Sequence, residues 1–364
     1  MRVDAEFAGG NIVVERATEE QLWLRQDLRD TEGDWFYWAF RLRGAAGRTL
    51  KVNFTGSNPL TSLGPALSAD GGASWHWLGP AAVRGQSFDV TVPLGCDELR
   101  LAMTVPYVAA DWQRFLASEG LRGGTLCHTP AGRICPTLRL GCLDRQPQQR
   151  VLLTCRHHCC EAMASFVLEG FVQMVRRDPW WAETTEVLAL PLMDADGVEA
   201  GDQGKNRRPH DHNRDYGLRP LYAETRALMD LAPGWSDGKL RLALDLHCPW
   251  IRGQGNEHIY FVGPPDAANW RAVQDLASHL ADANDGALPY DDARGLPFGQ
   301  GWNTAASFAD GLSCSRWLAT LPGVRAAASL EFPYAVADGV EATPARARAF
   351  GGALARAVRS WLRA

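Results

Sequence analysis

Up to residue 118 the chain consists of short alternating or apolar runs, Asn11 to Val14, Asp34 to Leu42, Thr49 to Phe54 and Ser87 to Val92, parted by turn clusters such as Asp70-Gly71-Gly72. Period-two alternation broken by Gly, Pro, Asn and Asp is how half-buried strands read, and it predicts an antiparallel β-sandwich. From residue 119 the period changes. The apolar run Val151 to Cys155 leads into Met163, Phe166, Val167, Phe171, Met174 and Val175 at helical spacing, a strand followed by a helix. Apolar runs at Glu186 to Leu190, Leu240 to Leu246, His258 to Val262 and Ala326 to Leu330 then alternate with helical stretches at Leu221 to Leu231, Ala267 to Ala281 and Pro344 to Leu362. Thr343 is placed to cap the last helix, with Pro344 at its first position. The pattern predicts an α/β fold: a doubly wound mixed sheet in residues 119–364, preceded by a sandwich domain in residues 1–118, with the Gly- and Pro-rich stretch Gly120 to Pro136 at the join.

Composition narrows the partners. Thirty-seven basic and 42 acidic side chains are mixed along 364 residues for a net charge of -5, so no basic face is offered to nucleic acid or to an anionic membrane, and neither is expected. Met1 to Glu6 lacks the charged-then-apolar order of a signal peptide and no stretch of about 18 apolar residues follows, which predicts a soluble, cytoplasmic protein. Nine cysteines, an odd number without CxxC spacing, are expected to be free and mostly buried. Of the 14 tryptophans, Trp35, Trp38, Trp75 and Trp77 are expected in core or interdomain packing.

In doubly wound sheets ligands bind at the carboxyl ends of strands, so polar residues directly after apolar runs are where chemistry is sought. His158 and Glu161 stand three apart after the Val151 to Cys155 run, close enough for an imidazole nitrogen and a carboxylate to meet one zinc ion. His-x-x-Glu also arises by chance, and a helix start favours Glu in any case. His247 ends the run Leu240 to Leu246. Alone it reads as a satisfied edge histidine, but with the first pair it completes a two-His, one-carboxylate set that leaves a position open for water, the arrangement of catalytic zinc. Glu331 ends another apolar run; a carboxylate there is either a salt-bridged strand end or a general base beside zinc-bound water. Between these places the polar segment Gly201 to Tyr216 reads as a loop, in which Asn213 beside Arg214 could hold a carboxylate.

These residues, in this order, resemble the zinc metallocarboxypeptidases, and among them the cytosolic carboxypeptidase-like branch with an N-terminal β-sandwich. His158-Cys159-Cys160-Glu161 stands where that family has its first two zinc ligands, Asp194-Ala195-Asp196-Gly197 resembles its Asn-Pro-Asp-Gly, Asp211-His212-Asn213-Arg214 its Asp-x-Asn-Arg, Asp245-Leu246-His247 the strand bearing the third ligand, and Leu330-Glu331 the catalytic glutamate. Ala102 to Tyr107 resembles the end of the sandwich. The resemblance implies one Zn²⁺ per chain, Asn213 and Arg214 on the terminal carboxylate of a peptide or protein substrate, Asp211 orienting His158, Glu331 as base, and an arginine on the oxyanion, with Arg207 ahead of Arg208 and Lys205. Arg316, fifteen residues before Glu331, would favour substrates ending in Glu or Asp if it lies in the specificity pocket; the alternative is a surface arginine. Cys159-Cys160 replaces the family's Pro-Gly and is expected to be structural, His157 has no counterpart role, and Trp302, Phe308 and Trp317 stand where a mobile tyrosine is usual. A zinc deacylase of N-acyl amino acids would use the same ligand set and is the nearer alternative; a non-catalytic peptide- or carbohydrate-binding protein is the more distant one.

Overall fold

The computed structural model describes residues 1–253 and 255–364. In the strands Gln21–Arg25, Thr49–Phe54 and Ser87–Thr91 alternate side chains are buried, so that Leu22, Leu24, Leu50, Val52, Phe88 and Val90 share one face. Val13–Ala17 and Val83–Arg84 complete this five-stranded sheet. A second sheet, ordered Arg2–Asp4, Ala39–Arg43, Glu98–Ala102, Ala66–Ser68 and His76–Trp77, buries Phe40, Leu42, Leu99 and Leu101. Trp38 joins the two, its ring 5.7 Å from Phe40 and 4.9 Å from Phe54. The second sheet is antiparallel throughout, as the alternation predicts. In the first, Gln21–Arg25 and Thr49–Phe54 run parallel, because the chain between them crosses to the other sheet to form Ala39–Arg43 and returns in the same direction.

A seven-stranded mixed sheet follows, in the order Gly124–His128, Ile134–Gly141, Thr185–Leu190, Gln149–Cys155, Leu240–His247, Ala326–Glu331 and Tyr260–Val262. The four strands from Thr185–Leu190 to Ala326–Glu331 are parallel to one another, and antiparallel pairings flank them. Their near-continuous burial is what helices on both faces require. Val151 and Leu153 point to the face covered by Ala162–Arg177, Ala267–Ala283 and Pro344–Arg363; Leu152, between them, joins the cluster of Leu228 and Ala232 from Ala223–Ser236. Two glycines let Ala162–Arg177 and Pro344–Arg363 cross closely. A Cβ on Gly170 would lie 1.9 Å from Arg348 O and one on Gly351 2.0 Å from Val167 O.

The N-terminal sheets reach the larger sheet through the segment 201–208. Asn11 Nδ2 donates to Gly201 O at 2.7 Å, Tyr37 N to Gln203 Oε1 at 2.7 Å, and Thr31 Oγ1 to Lys205 O at 2.5 Å. Among the described residues no helix is long and apolar enough to cross a membrane.

Candidate metal centre and cavity

The parallel strands Gln149–Cys155, Leu240–His247 and Ala326–Glu331 all end at one edge, and each delivers polar side chains there. After Cys155 the chain turns through Arg156, whose backbone is left-handed at φ 66. A non-glycine residue holds that conformation only when its surroundings over-determine it. Here the buried guanidinium donates to Cys159 O at 3.0 Å, Tyr107 O at 2.9 Å and Ser165 Oγ at 3.1 Å, clamping the turn that presents His158 and Glu161.

His158, Glu161 and His247 each offer a ligand atom within 4.8 Å of the others. Glu161 stands between the imidazoles, Oε1 3.0 Å from His158 Nδ1 and Oε2 2.7 Å from His247 Nδ1. The far nitrogen of each ring meets a carboxylate: His158 Nε2 lies 3.2 Å from Asp211 Oδ1 and His247 Nε2 2.7 Å from Asp245 Oδ2. Such outer carboxylates fix the tautomer in which Nδ1 keeps its lone pair for a cation. The donor set therefore suits zinc: two neutral imidazoles and one carboxylate, with room for water or substrate. Burial alone would neutralise Glu161, but Lys205, His247 and His158 together hold its carboxyl well below the ordinary range.

Glu331 faces the same centre and is buried, and among the described residues its Oε2 has no hydrogen-bond partner. Burial, with the charge of Glu161 adding to it, raises its carboxyl above the ordinary value. A buried carboxylate oxygen without a donor is costly unless something outside the protein supplies the proton. Lys205 is the cation at the centre: Nζ donates to Glu161 Oε1 at 2.5 Å and to Cys248 O at 2.8 Å, which leaves one of its three N–H bonds for the cavity it lines. Gly204 permits this approach. Its φ is 74, and a Cβ would lie 2.5 Å from Cys159 N.

These groups line a cavity of about 420 Å³. Towards the 326–331 and 260–262 strands it is walled by Arg214, Asn303, Phe308, Ser313, Ser315 and Arg316. Arg214 is fixed by bonds from Nε to Ser307 O and from Nη1 to Asn213 O, both 2.7 Å. Phe308 lies between two guanidinium groups, 4.4 Å from that of Arg214 and 3.3 Å from that of Arg316. Among the described residues no carboxylate is within ion-pair distance of Arg316; burial and the charge of Arg214 bring its guanidinium down to about 10. Towards Lys205 the walls are Trp35, from the N-terminal region, and Trp250, their rings 5.1 Å apart.

No known family profile matches the chain. A curated relative, cytosolic carboxypeptidase 2 of Danio rerio, is 26% identical over 237 residues, covering 54% of this chain, and the match spans 33% of that protein's length. Among solved structures, a metallo-carboxypeptidase from Burkholderia cenocepacia superposes with a TM-score of 0.79 at 19% identity, covering 100% of this chain and 99% of its own. A metallo-carboxypeptidase from Pseudomonas aeruginosa, in complex with (2-guanidinoethylmercapto)succinic acid, does so with a TM-score of 0.76 at 18% identity, covering 100% and 99%. The chain has the metallo-carboxypeptidase fold. The likeness runs through the N-terminal sheets as well as the mixed sheet.

On this metallo-carboxypeptidase fold the structure gathers His158, Glu161, His247, Asp211, Asn213, Arg214, Arg316 and Glu331 round one cavity, and leaves out Arg207. Arg207 was expected at the oxyanion. Its Nη2 instead pairs with Asp194 Oδ2 at 2.7 Å and Asp202 Oδ2 at 3.0 Å, with Asp30 at 3.7 Å, so three acids hold it behind the turn. Arg208 pairs at the surface with Glu32. Asn213 Oδ1 accepts from Cys314 N at 2.9 Å and its Nδ2 lies 3.0 Å from His247 Nε2. Cys159 and Cys160 are buried outside the donor set, burial pushing the Cys160 thiol up to about 12. Trp302 and Phe308 line the cavity, whereas Trp317 stacks on Tyr216, 5.5 Å away. Of the four tryptophans expected in core or interdomain packing, Trp38 is in the core, Trp75 and Trp77 pack against it, with Trp77 Nε1 donating to Ala342 O at 3.1 Å, and Trp35 packs on Trp250 and lines the cavity as well. Asp245 reads in the sequence only as part of the strand ending in His247, without a role of its own; a charged residue inside an apolar strand was the signal.

Proposed function

We propose that this protein is a zinc-dependent metallocarboxypeptidase that releases the C-terminal residue of peptides or proteins and prefers an acidic one. The observation that carries the reading is the open donor set of His158, Glu161 and His247 beside the unpartnered Glu331 Oε2, in a cavity that also holds two guanidinium groups.

His158, Glu161 and His247 would hold a zinc ion, which would supply Lewis acidity to a peptide carbonyl and to a water molecule. Glu331, whose carboxyl burial raises, would take a proton from water at its Oε2 and pass it to the leaving amine. The free N–H of Lys205 faces the oxyanion, in the place first assigned to Arg207. Arg214, steadied on Ser307 and Asn213, holds the terminal carboxylate, and Asn213 supports it. Among the described residues no acid pairs with Arg316, which lies across Phe308 from Arg214, so two cations await a residue with two carboxylates, as a terminal Glu or Asp has. Asp211 keeps His158 in register. Residues 1–118 are read as a domain that contributes Trp35 and holds the 201–208 segment under the cavity.

The test is purified protein assayed for zinc and then offered peptides ending in Glu, Lys or Leu, and N-acyl amino acids. Chelator-sensitive release of the terminal residue, fastest for Glu, is the expected result. Cleavage of N-acyl amino acids alone would move the assignment to a deacylase.

A further inference from the structure

Behind the metal ligands lies a polar cluster that the proposed reaction does not use. His157 is fully buried, as are Asp245, Thr154 and Tyr216. Asp245 Oδ1 accepts from Thr154 Oγ1 at 2.7 Å and lies 2.8 Å from His157 Nδ1, while its Oδ2 meets His247 Nε2 at 2.7 Å. His157 Nε2 lies 2.6 Å from Tyr216 Oη.

The proton positions follow from the donors. Tyr216 donates to His157 Nε2, so His157 carries its proton on Nδ1 and donates to Asp245, which is then fully supplied: two donors on Oδ1 and His247 on Oδ2. From Tyr216 to Asp245 every proton in the chain meets an acceptor, and His247 Nε2, which Asn213 Nδ2 also approaches, donates to the carboxylate. His157, Asp245 and Cys314 also lie close enough to hold a metal ion themselves. That use is disfavoured because the lone pairs needed are already engaged and Cys314, buried, has its thiol pushed well above its ordinary value.

We propose that His157 is a positioning residue: by donating to Asp245 and accepting from Tyr216 it sets the carboxylate that orients His247, and so tunes the metal affinity of the site. The inference rests on the zinc reading above for its affinity consequence, but its structural half concerns His157, Asp245 and His247 alone. Removing the imidazole leaves a buried carboxylate short of a donor and free to turn, and the His247 ring with it. Residues behind metal ligands typically influence affinity 10- to 100-fold, and one step further out the lower end, about ten-fold, is expected.

The experiment compares wild type with His157→Val, His157→Gln and Tyr216→Phe. Zinc dissociation constants come from chelator competition, and ¹H–¹⁵N long-range spectra of the metal-free proteins report the hydrogen bond from His247 Nε2 to Asp245. Wild type should bind one zinc per chain and show a single set of His247 signals with Nε2 protonated and hydrogen-bonded. His157→Val should bind zinc about ten-fold more weakly, with the Nε2 signal shifted or doubled as Asp245 turns. His157→Gln, which keeps a donor, should recover most of both, and Tyr216→Phe should fall between. Affinity within two-fold of wild type together with an unchanged Nε2 signal in His157→Val and Tyr216→Phe would overturn the proposal, as would two zinc ions per chain. If wild type takes no zinc, the proposed function falls, and the Nε2 signal of the metal-free proteins alone decides the role of His157.

Discussion

The roles proposed for Glu331 and Lys205 differ, and single substitutions separate them. Glu331→Gln keeps the ligand set intact, so zinc content should be unchanged while kcat falls by ~10²–10⁴, the range for a lost general base; a variant of normal rate would remove Glu331 from the reaction. Lys205→Met removes the cation that pairs with Glu161 and, on the proposed role at the oxyanion, should lower kcat by roughly 10²-fold. Steady-state kinetics on zinc-saturated protein checks both. At this scale the candidate ligands were legible in the sequence because His158 and Glu161 follow directly on one apolar strand and His247 closes another. Arg207 was misplaced for a physical reason: in a polar loop with four cations, sequence does not say which one finds acids. Asp194, Asp202 and Asp30 capture Arg207, and the last of these comes from far away in the chain. Lys205 is thereby the one left facing Glu161.

The elements were legible in kind, less so in arrangement. Val151 to Cys155 and Leu240 to Leu246 read directly as buried strands, but a pattern of burial cannot show that Gln21–Arg25 and Thr49–Phe54 pair in parallel, since that depends on the crossing of Ala39–Arg43. Helix crossings are equally hidden. At Gly170 and Gly351 the two helix backbones meet, so Gly351→Ala should destabilise the fold by ~1–3 kcal/mol through overpacking, measurable by denaturant unfolding. Glu224, at the start of Ala223–Ser236, adds a pH-dependent contribution. Burial, with the charges of Asp194 and Asp196, raises its carboxyl from 4.5 to about 7. A raised carboxyl binds its proton more tightly when folded, so its contribution is complete below the unfolded value of about 4.5 and is lost as pH rises through about 7. Glu224→Gln should be near neutral for stability at pH 4.5 and stabilising at pH 8, on the order of 2 kcal/mol; equal effects at both pH values would refute this.

Across the whole molecule the N-terminal sheets and the mixed sheet share the site. Thr31 and Tyr37 grip the segment that carries Lys205, and Trp35 forms a wall of the cavity, which composition and alternation had suggested was only packing. Zinc bound to the folded chain alone should raise the melting temperature, and a chelator should lower it, by an amount that grows with zinc concentration. Specificity belongs to this scale too, because Arg316, Phe308 and Arg214 come together only in the folded chain. Arg316→Ala should cost roughly 10-fold or more in kcat/KM for peptides ending in Glu, about the worth of one charge-assisted bond, and little for those ending in Leu. The most direct measurement of the central claim is the rate at which zinc-loaded protein releases the last residue from a peptide ending in Glu, with and without chelator, beside the Glu331→Gln variant. Release of free glutamate that both chelator and substitution abolish is the predicted result; undiminished release with chelator present, or no release from zinc-loaded wild type across the peptide set, would contradict it.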